Sequence, residues 1–144
     1  MIGNDAIQAA IIAKLKANTA LVAWLTALSA GDEIRETQWQ GTVFAYPAVR
    51  ASVGNQLPDA GMGTCYLSSG EFTFTVYSYS ESDSSMQADQ LAKLVNDALI
   101  GARLSGTGFA TMSIKCEGMP HATRQAERVW SAANVYRANL YETS

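Results

Sequence analysis

A chain of 144 residues has the length of one domain with a real core and is too short for two ordinary ones. Hydrophobic residues make up 48% of it and charged residues 16%, a globular composition that excludes a disordered protein. The net charge is −3, with acids and bases mixed and no basic run, which argues against tight sequence-independent DNA binding. A charged share below the usual quarter fits burial against partner subunits, although a sparsely charged monomer would have the same composition.

The N-terminus carries an acid, Asp5, where a signal peptide has its basic region, and Lys14 and Lys16 interrupt the apolar run that follows. Asn4 or Asp5 is the expected N-cap of a helix bearing Ile7, Ala10, Ile11 and Leu15 at helical spacing. Asn18-Thr19 reads as a break or second cap, after which Leu21, Val22, Leu25 and Leu28 continue one face until Ala30-Gly31. The expectation is two consecutive helices, or one bent helix, ending near Ser29.

Residues 33–37 fit a short strand, with Trp39 and Phe44 anchoring an irregular link. Tyr46 precedes Pro47 and should be extended. Residues 48–53 alternate, with Val49, Ala51 and Val53 on one face and Arg50 and Ser52 on the other, and Gly54 is expected to close the strand. Residues 55–70 are rich in Gly and irregular, the pattern of a long hairpin excursion. Leu57, Met62, Tyr66 and Leu67 give that excursion more apolar side chains than a solvated loop needs. They either fold back on the domain or dock on a neighbour.

The period then becomes two: Phe72, Phe74 and Val76 point one way, and Thr73, Thr75 and Tyr77 the other. Ser84 and Gln87 have the spacing of a capping box. The helix they open is expected to bury Leu91, Leu94, Val95 and Ala98, with Leu99 flanking, and to stop at Gly101. Residues 103–108 read as a turn. Residues 109–117 read as a strand with Ala110, Met112, Ile114 and Cys116 on one face, and residues 118–126 as a second loop. Residues 128–140 form the last strand, alternating Val129, Ser131, Ala133 and Val135 with Trp130, Ala132, Asn134 and Tyr136. The order predicts one α+β domain over residues 1–144, with a single mostly antiparallel sheet and helices packed on one face.

Few residues point to chemistry. His121 is the only histidine, so any metal site or Ser–His or Cys–His device would need it together with distant Cys65 or Cys116. The two cysteines have no CxxC spacing and fit reduced thiols in a cytosolic protein. Gly101 to Gly108 lacks the lysine of a phosphate loop and follows a helix instead of preceding one. Asp32, Glu33 and Glu36 fit a solvated turn. Trp24, Trp39 and Trp130 lie on separate elements without basic interleaving, which favours packing over base stacking. No segment has the apolar length of a bilayer span. A soluble, cytoplasmically made protein is expected, with no cofactor, metal or membrane partner.

Taken in order, several segments together resemble the tail terminator (tail-completion) family of long-tailed bacteriophages. These are the N-terminal helix pair from Ala6, Tyr46-Pro47-Ala48-Val49-Arg50, the Phe72-Thr73-Phe74-Thr75-Val76 strand, the Gln87 to Leu99 helix and the Arg128 to Arg137 strand. The resemblance covers nearly the full length. It implies a non-enzymatic virion protein, assembled in the host cytoplasm, that closes as a sixfold ring on the head-proximal end of the tail. That ring would stop addition of tail tube protein and offer a surface to the head–tail connector or neck protein, with DNA only passing through its lumen. Under this resemblance the candidate subunit and tube contacts are Leu57, Pro58, Met62 and Tyr66 in one loop, and Met119, His121 and Arg124 in the other. Two alternatives stay open: a tail-to-head joining protein without length control, and a small hydrolase or ligand-binding domain.

Overall fold

The computed structural model describes residues 3–28, 34–36, 46–58, 69–82, 84–106 and 108–142. Helices α1 (Asn4–Lys16) and α2 (Thr19–Ala27) meet at a 73° bend. Asn18 makes the break as expected: its side-chain oxygen accepts from the Leu21 amide at 2.9 Å, capping α2. The cap of α1 differs from expectation. Asn4 is already helical, Gly3 is the cap residue, and its carbonyl accepts from the Ala6 and Ile7 amides. Ile7, Ile11, Leu15, Leu21 and Leu25 are buried, whereas Leu28 falls past the last turn and is 40% exposed.

Strand β1 (Ile34–Glu36) pairs in parallel with β2 (Ala48–Pro58), which runs antiparallel to β3 (Ser69–Glu81). The Tyr46–Pro47 bond is cis, while Trp39 and Phe44 lie outside the described residues. Gly54 does not close β2. One extra residue is accommodated between Val53, opposite Phe74, and Gln56, opposite Phe72, and the ladder then continues to Pro58 opposite Gly70. A Cβ on Gly54 would come within 2.8 Å of the Thr73 hydroxyl, so this bulge needs a residue without a side chain.

Helix α3 (Met86–Leu99) follows, but not through a capping box. The cap residue is Ser85, which makes no side-chain cap bond, and the Ser84 hydroxyl accepts from Met86 at 3.4 Å. The helix buries Ala88, Leu91, Ala92, Val95 and Leu99, while Leu94 and Ala98 stay at its edge. Small residues at 88 and 92 bring the backbone close enough for buried Asn134 to donate to the Ala92 carbonyl at 2.9 Å. Gly101 ends the segment at φ +71.

The remaining chain is more strand-rich than expected: β4 (Ser105–Gly106), β5 (Phe109–Thr111), β6 (Lys115–Gly118), β7 (Thr123–Ala126) and β8 (Val129–Glu142). Strand β8 pairs with β3 along one edge, and with β5, β6 and β7 in succession along the other. The expected strand over 109–117 is therefore two strands. Thr111 lies opposite Leu140 and Lys115 opposite Arg137, so one extra residue sits between them and inverts the inward parity. Phe109 and Thr111 face in before the break and Ile114 after it, while Met112 is 48% exposed. Residues 118–126, expected as loop, contain β7.

The sheet order is β1-β2-β3-β8-β5-β4, antiparallel except for β1 with β2, with the helices on one side. This is the expected α+β class. Phe72, Phe74, Tyr136 and the helical leucines fill the core, with Phe74 stacked 5.2 Å from Tyr136. Helix α2 packs on α1 and α3. Among the described residues no helix covers the other sheet face, where Thr73, Thr75, Ala133 and Val135 are half-buried.

Candidate assembly surfaces

The strand registers place Leu57 and Arg124, one from each group of candidate residues, far apart. Leu57 pairs with Glu71, and Glu71 with Asn139, near one end of the sheet. Arg124 pairs with Trp130 near the other end. Nine residues along β8 separate Asn139 from Trp130, or ~30 Å at the rise of a strand. Of the first group, Leu57 and Pro58 lie on the paired part of β2, and Met62 and Tyr66 lie outside the described residues. The second group is spread along β8: Met119, 46% exposed, follows Gly118 opposite Val135, fully exposed His121 lies beside Asp89, and Arg124 lies opposite Trp130.

At the first end, Arg137 on β8 joins three strands. Its Nε donates to Glu117 at 2.8 Å, and an Nη donates to Glu71 at 3.4 Å. Arg137 and Glu71, with Met112, Ser113, Lys115 and Asn139, line a shallow cleft of about 310 Å³. At the second end, residues 118–122 cross from the sheet to α3, where Asp89 holds them. Its carboxylate accepts from the Ala122 amide at 3.0 Å and lies 3.9 Å from the His121 Nδ1. Trp130 donates to the Ser82 carbonyl, and the Ser82 amide donates to the Arg128 carbonyl, fixing the β7–β8 turn. Arg128 occupies this turn at φ 62, a conformation more often given to Gly or Asn.

Sequence reasoning missed Asp89, Glu71, Glu117 and Arg137. Their partners lie 33 residues away for Asp89 and 66 for Glu71, so no local spacing signals them. The chemical candidates remain dispersed. Cys116 is a half-buried free thiol against the core, and Cys65, Asp32 and Glu33 lie outside the described residues. No group of three or more His, Cys, Asp or Glu among the described residues is arranged to hold a metal ion. Among the described residues, the strongest electrostatic perturbation belongs to a core residue. Burial pushes the Tyr136 phenol well above its ordinary range, against the opposing hydrogen bond from Asn134. Tyr79 is raised too, by burial first and then by Tyr77. No described helix is long and apolar enough to cross a membrane, and the bent α1–α2 pair, which passes that test only jointly, buries Ile7, Ile11, Leu15, Leu21 and Leu25 in the core.

The fold is shared with a phage-like particle component. A chain in a solved structure of the virion of a native gene transfer agent (GTA) particle superposes with TM-score 0.73 at 22% identity, over 96% of each chain. A second solved structure, 20% identical over the same shares, reaches a TM-score of only 0.47. No curated protein matches the sequence. The family model described as tail completion protein gp17 matches residues 9–138. The chain belongs to this tail completion family and is a structural protein of the phage tail.

Proposed function

We propose that this protein closes as a ring, of six copies, on the head-proximal end of the finished tail tube. There it stops further tube subunits from adding and presents the opposite surface to the head–tail connector. The observation that carries this reading is the ~30 Å separation, along the strands of one sheet, of Leu57 and Arg124, one from each candidate contact group. An adaptor between two different assemblies needs two surfaces at once, and a continuous ladder from β2 to β8 holds them at a fixed distance. In this reading Leu57 and Pro58, with Met62 and Tyr66 assigned from the sequence, serve one surface, and Met119, His121 and Arg124 serve the other. Ring closure needs head-to-tail contacts between copies. DNA passes through the lumen without being held, in keeping with the net charge of −3.

The test is loss of the protein during assembly. Overlong tubes by electron microscopy support the terminator role. Tails of normal length left unattached to heads would instead assign a joining role without length control. A narrower test replaces residues 60–68 by Asn-Gly, keeping the β2–β3 ladder to the Pro58–Gly70 pair. A folded variant that still caps tubes at wild-type efficiency removes Met62 and Tyr66 from the proposal.

A further inference from the structure

Among the described residues, Arg128 is the one residue other than glycine with a left-handed backbone, at φ 62 in the turn between β7 and β8. Glycine takes this conformation freely, whereas a side chain there strains the turn. Strain of this kind persists where the side chain serves a purpose beyond the fold. Arg128 lines an open cleft of about 300 Å³ with Ser82, Arg124, Glu127 and Trp130. Arg124 reaches it from β7, opposite Trp130 on β8. The base of the cleft is fixed. The Trp130 indole donates to the Ser82 carbonyl at 3.2 Å, and the Ser82 amide donates to the Arg128 carbonyl at 2.8 Å. Arg124 and Arg128 are exposed, and Trp130 is half-buried with its single polar atom already bonded, so what Trp130 still offers is apolar surface.

We propose that this cleft receives an acidic segment of a neighbouring virion protein, a carboxylate meeting Arg124 and Arg128 and an adjacent apolar side chain meeting Trp130. A guanidinium carries five N–H donors in a planar fork that matches a carboxylate, so each arginine can keep a contact within the chain and accept one from outside. Arginine and tryptophan are also the residue types that carry most binding energy at protein interfaces, and a fixed Trp130 lowers the cost of ordering on contact. A nucleic acid fits less well. Glu127 lines the same cleft, and the chain's net charge is −3, both opposed to a continuous phosphate backbone. A second copy fits less well too, because its Glu71, Asp89, Asp97 and Glu117 are already bonded within their own chain. This rests on the reading above, which gives the Arg124 end of the sheet to one neighbour, and adds Arg128, Trp130 and the chemistry of that neighbour.

The test compares the full-length wild type with Arg128→Gly and Arg128→Lys. The probes are isolated tail tubes and DNA-filled heads assembled without this protein, with binding read by co-sedimentation at low and high salt. Arg128→Gly is expected to melt at or above the wild-type temperature, because glycine relieves the turn. It is expected to lose about tenfold or more in affinity for one of the two particles, the loss of one charge-assisted contact. Arg128→Lys keeps the charge without the fork and should fall between the two. The advantage of wild type should shrink at high salt. A folded Arg128→Gly that binds tubes and heads as well as wild type overturns the site and leaves the ring reading standing. So does an Arg128→Gly that melts well below wild type, since the arginine would then be serving the fold. A loss confined to self-association in native mass spectrometry assigns the cleft to a second copy, and one confined to a duplex oligonucleotide assigns it to nucleic acid; either overturns the acidic protein partner. Wild-type protein that binds neither particle overturns the ring reading and this site together.

Discussion

The Tyr136 hydroxyl lies under α3, where it accepts from the Asn134 amide at 3.0 Å and donates to the Asn96 side-chain oxygen at 3.2 Å. Tyr136→Phe removes both bonds while preserving the ring stacked on Phe74. Asn134 keeps its bond to the Ala92 carbonyl, and half-buried Asn96 can turn to water. The expected loss at pH 8 is about 1–2 kcal/mol, from two buried neutral hydrogen bonds. That corresponds to a Tm lower by about 3–8 °C. Alkaline pH provides a sharper check. Burial raises the Tyr136 pKa in the folded state, while in the unfolded chain the phenol ionises near its ordinary value of ~10. Its contribution to stability is thus complete below pH ~10 and is lost as pH rises through the folded-state value, with a slope approaching ~1.4 kcal/mol per pH unit. Phenylalanine has no such loss. The gap between wild type and variant should shrink by about 1.4 kcal/mol between pH 8 and pH 11, nearly closing. Urea unfolding followed by circular dichroism at the two pH values measures it. Other tyrosines and lysines ionise equally in both proteins and cancel in the difference. A gap of the same size at both pH values would refute the reasoning, because it would mean that the folded protein does not hold this phenol neutral.

Asp89→Ala should free residues 118–122 from α3, costing about 1 kcal/mol for a charge-assisted bond at a partly exposed carboxylate, and should speed hydrogen exchange at the Ala122 amide. Asp89→Asn keeps an acceptor oxygen and should exchange more slowly than the alanine variant; equal rates would deny the bond its role. Arg137→Met should cost at most about 1 kcal/mol, because all three charged groups are more than a third exposed, and the cost should fall at high salt. A loss indifferent to salt in urea titrations would point to packing instead. Gly108→Ala places a side chain at φ +84 with nothing within 4 Å of it, so its expected cost of about 1 kcal/mol is backbone strain alone. An unchanged melting temperature would contradict the left-handed turn.

Local periodicity carried the inner face of β3, the Asn18 break and the stop at Gly101, because each depends on residues adjacent in the chain. It also led to the family resemblance, since the order of helices and strands is a property of the sequence. The same reasoning reached its limit wherever a ladder gains a residue. Past Val53 the expected end of β2 proved to be a bulge, and past Thr111 a one-residue excess reversed which side chains face the core. An alternating pattern fixes two faces but not the point at which they exchange, because the partner strand sets that register. The β7 strand was illegible for a related reason: exposed Thr123 and Arg124 bury no face and are strand only because β8 pairs with them.

The surfaces divide in the same way. Which loops carry apolar or adaptable side chains was evident from composition. Tertiary structure alone set the distance of Arg124 from Leu57 along β8 and fastened Ala122 to α3 through Asp89. Chain order determines what kinds of elements this protein has. Packing between residues tens of positions apart determines where their exposed ends lie, and an assembling subunit works through those positions.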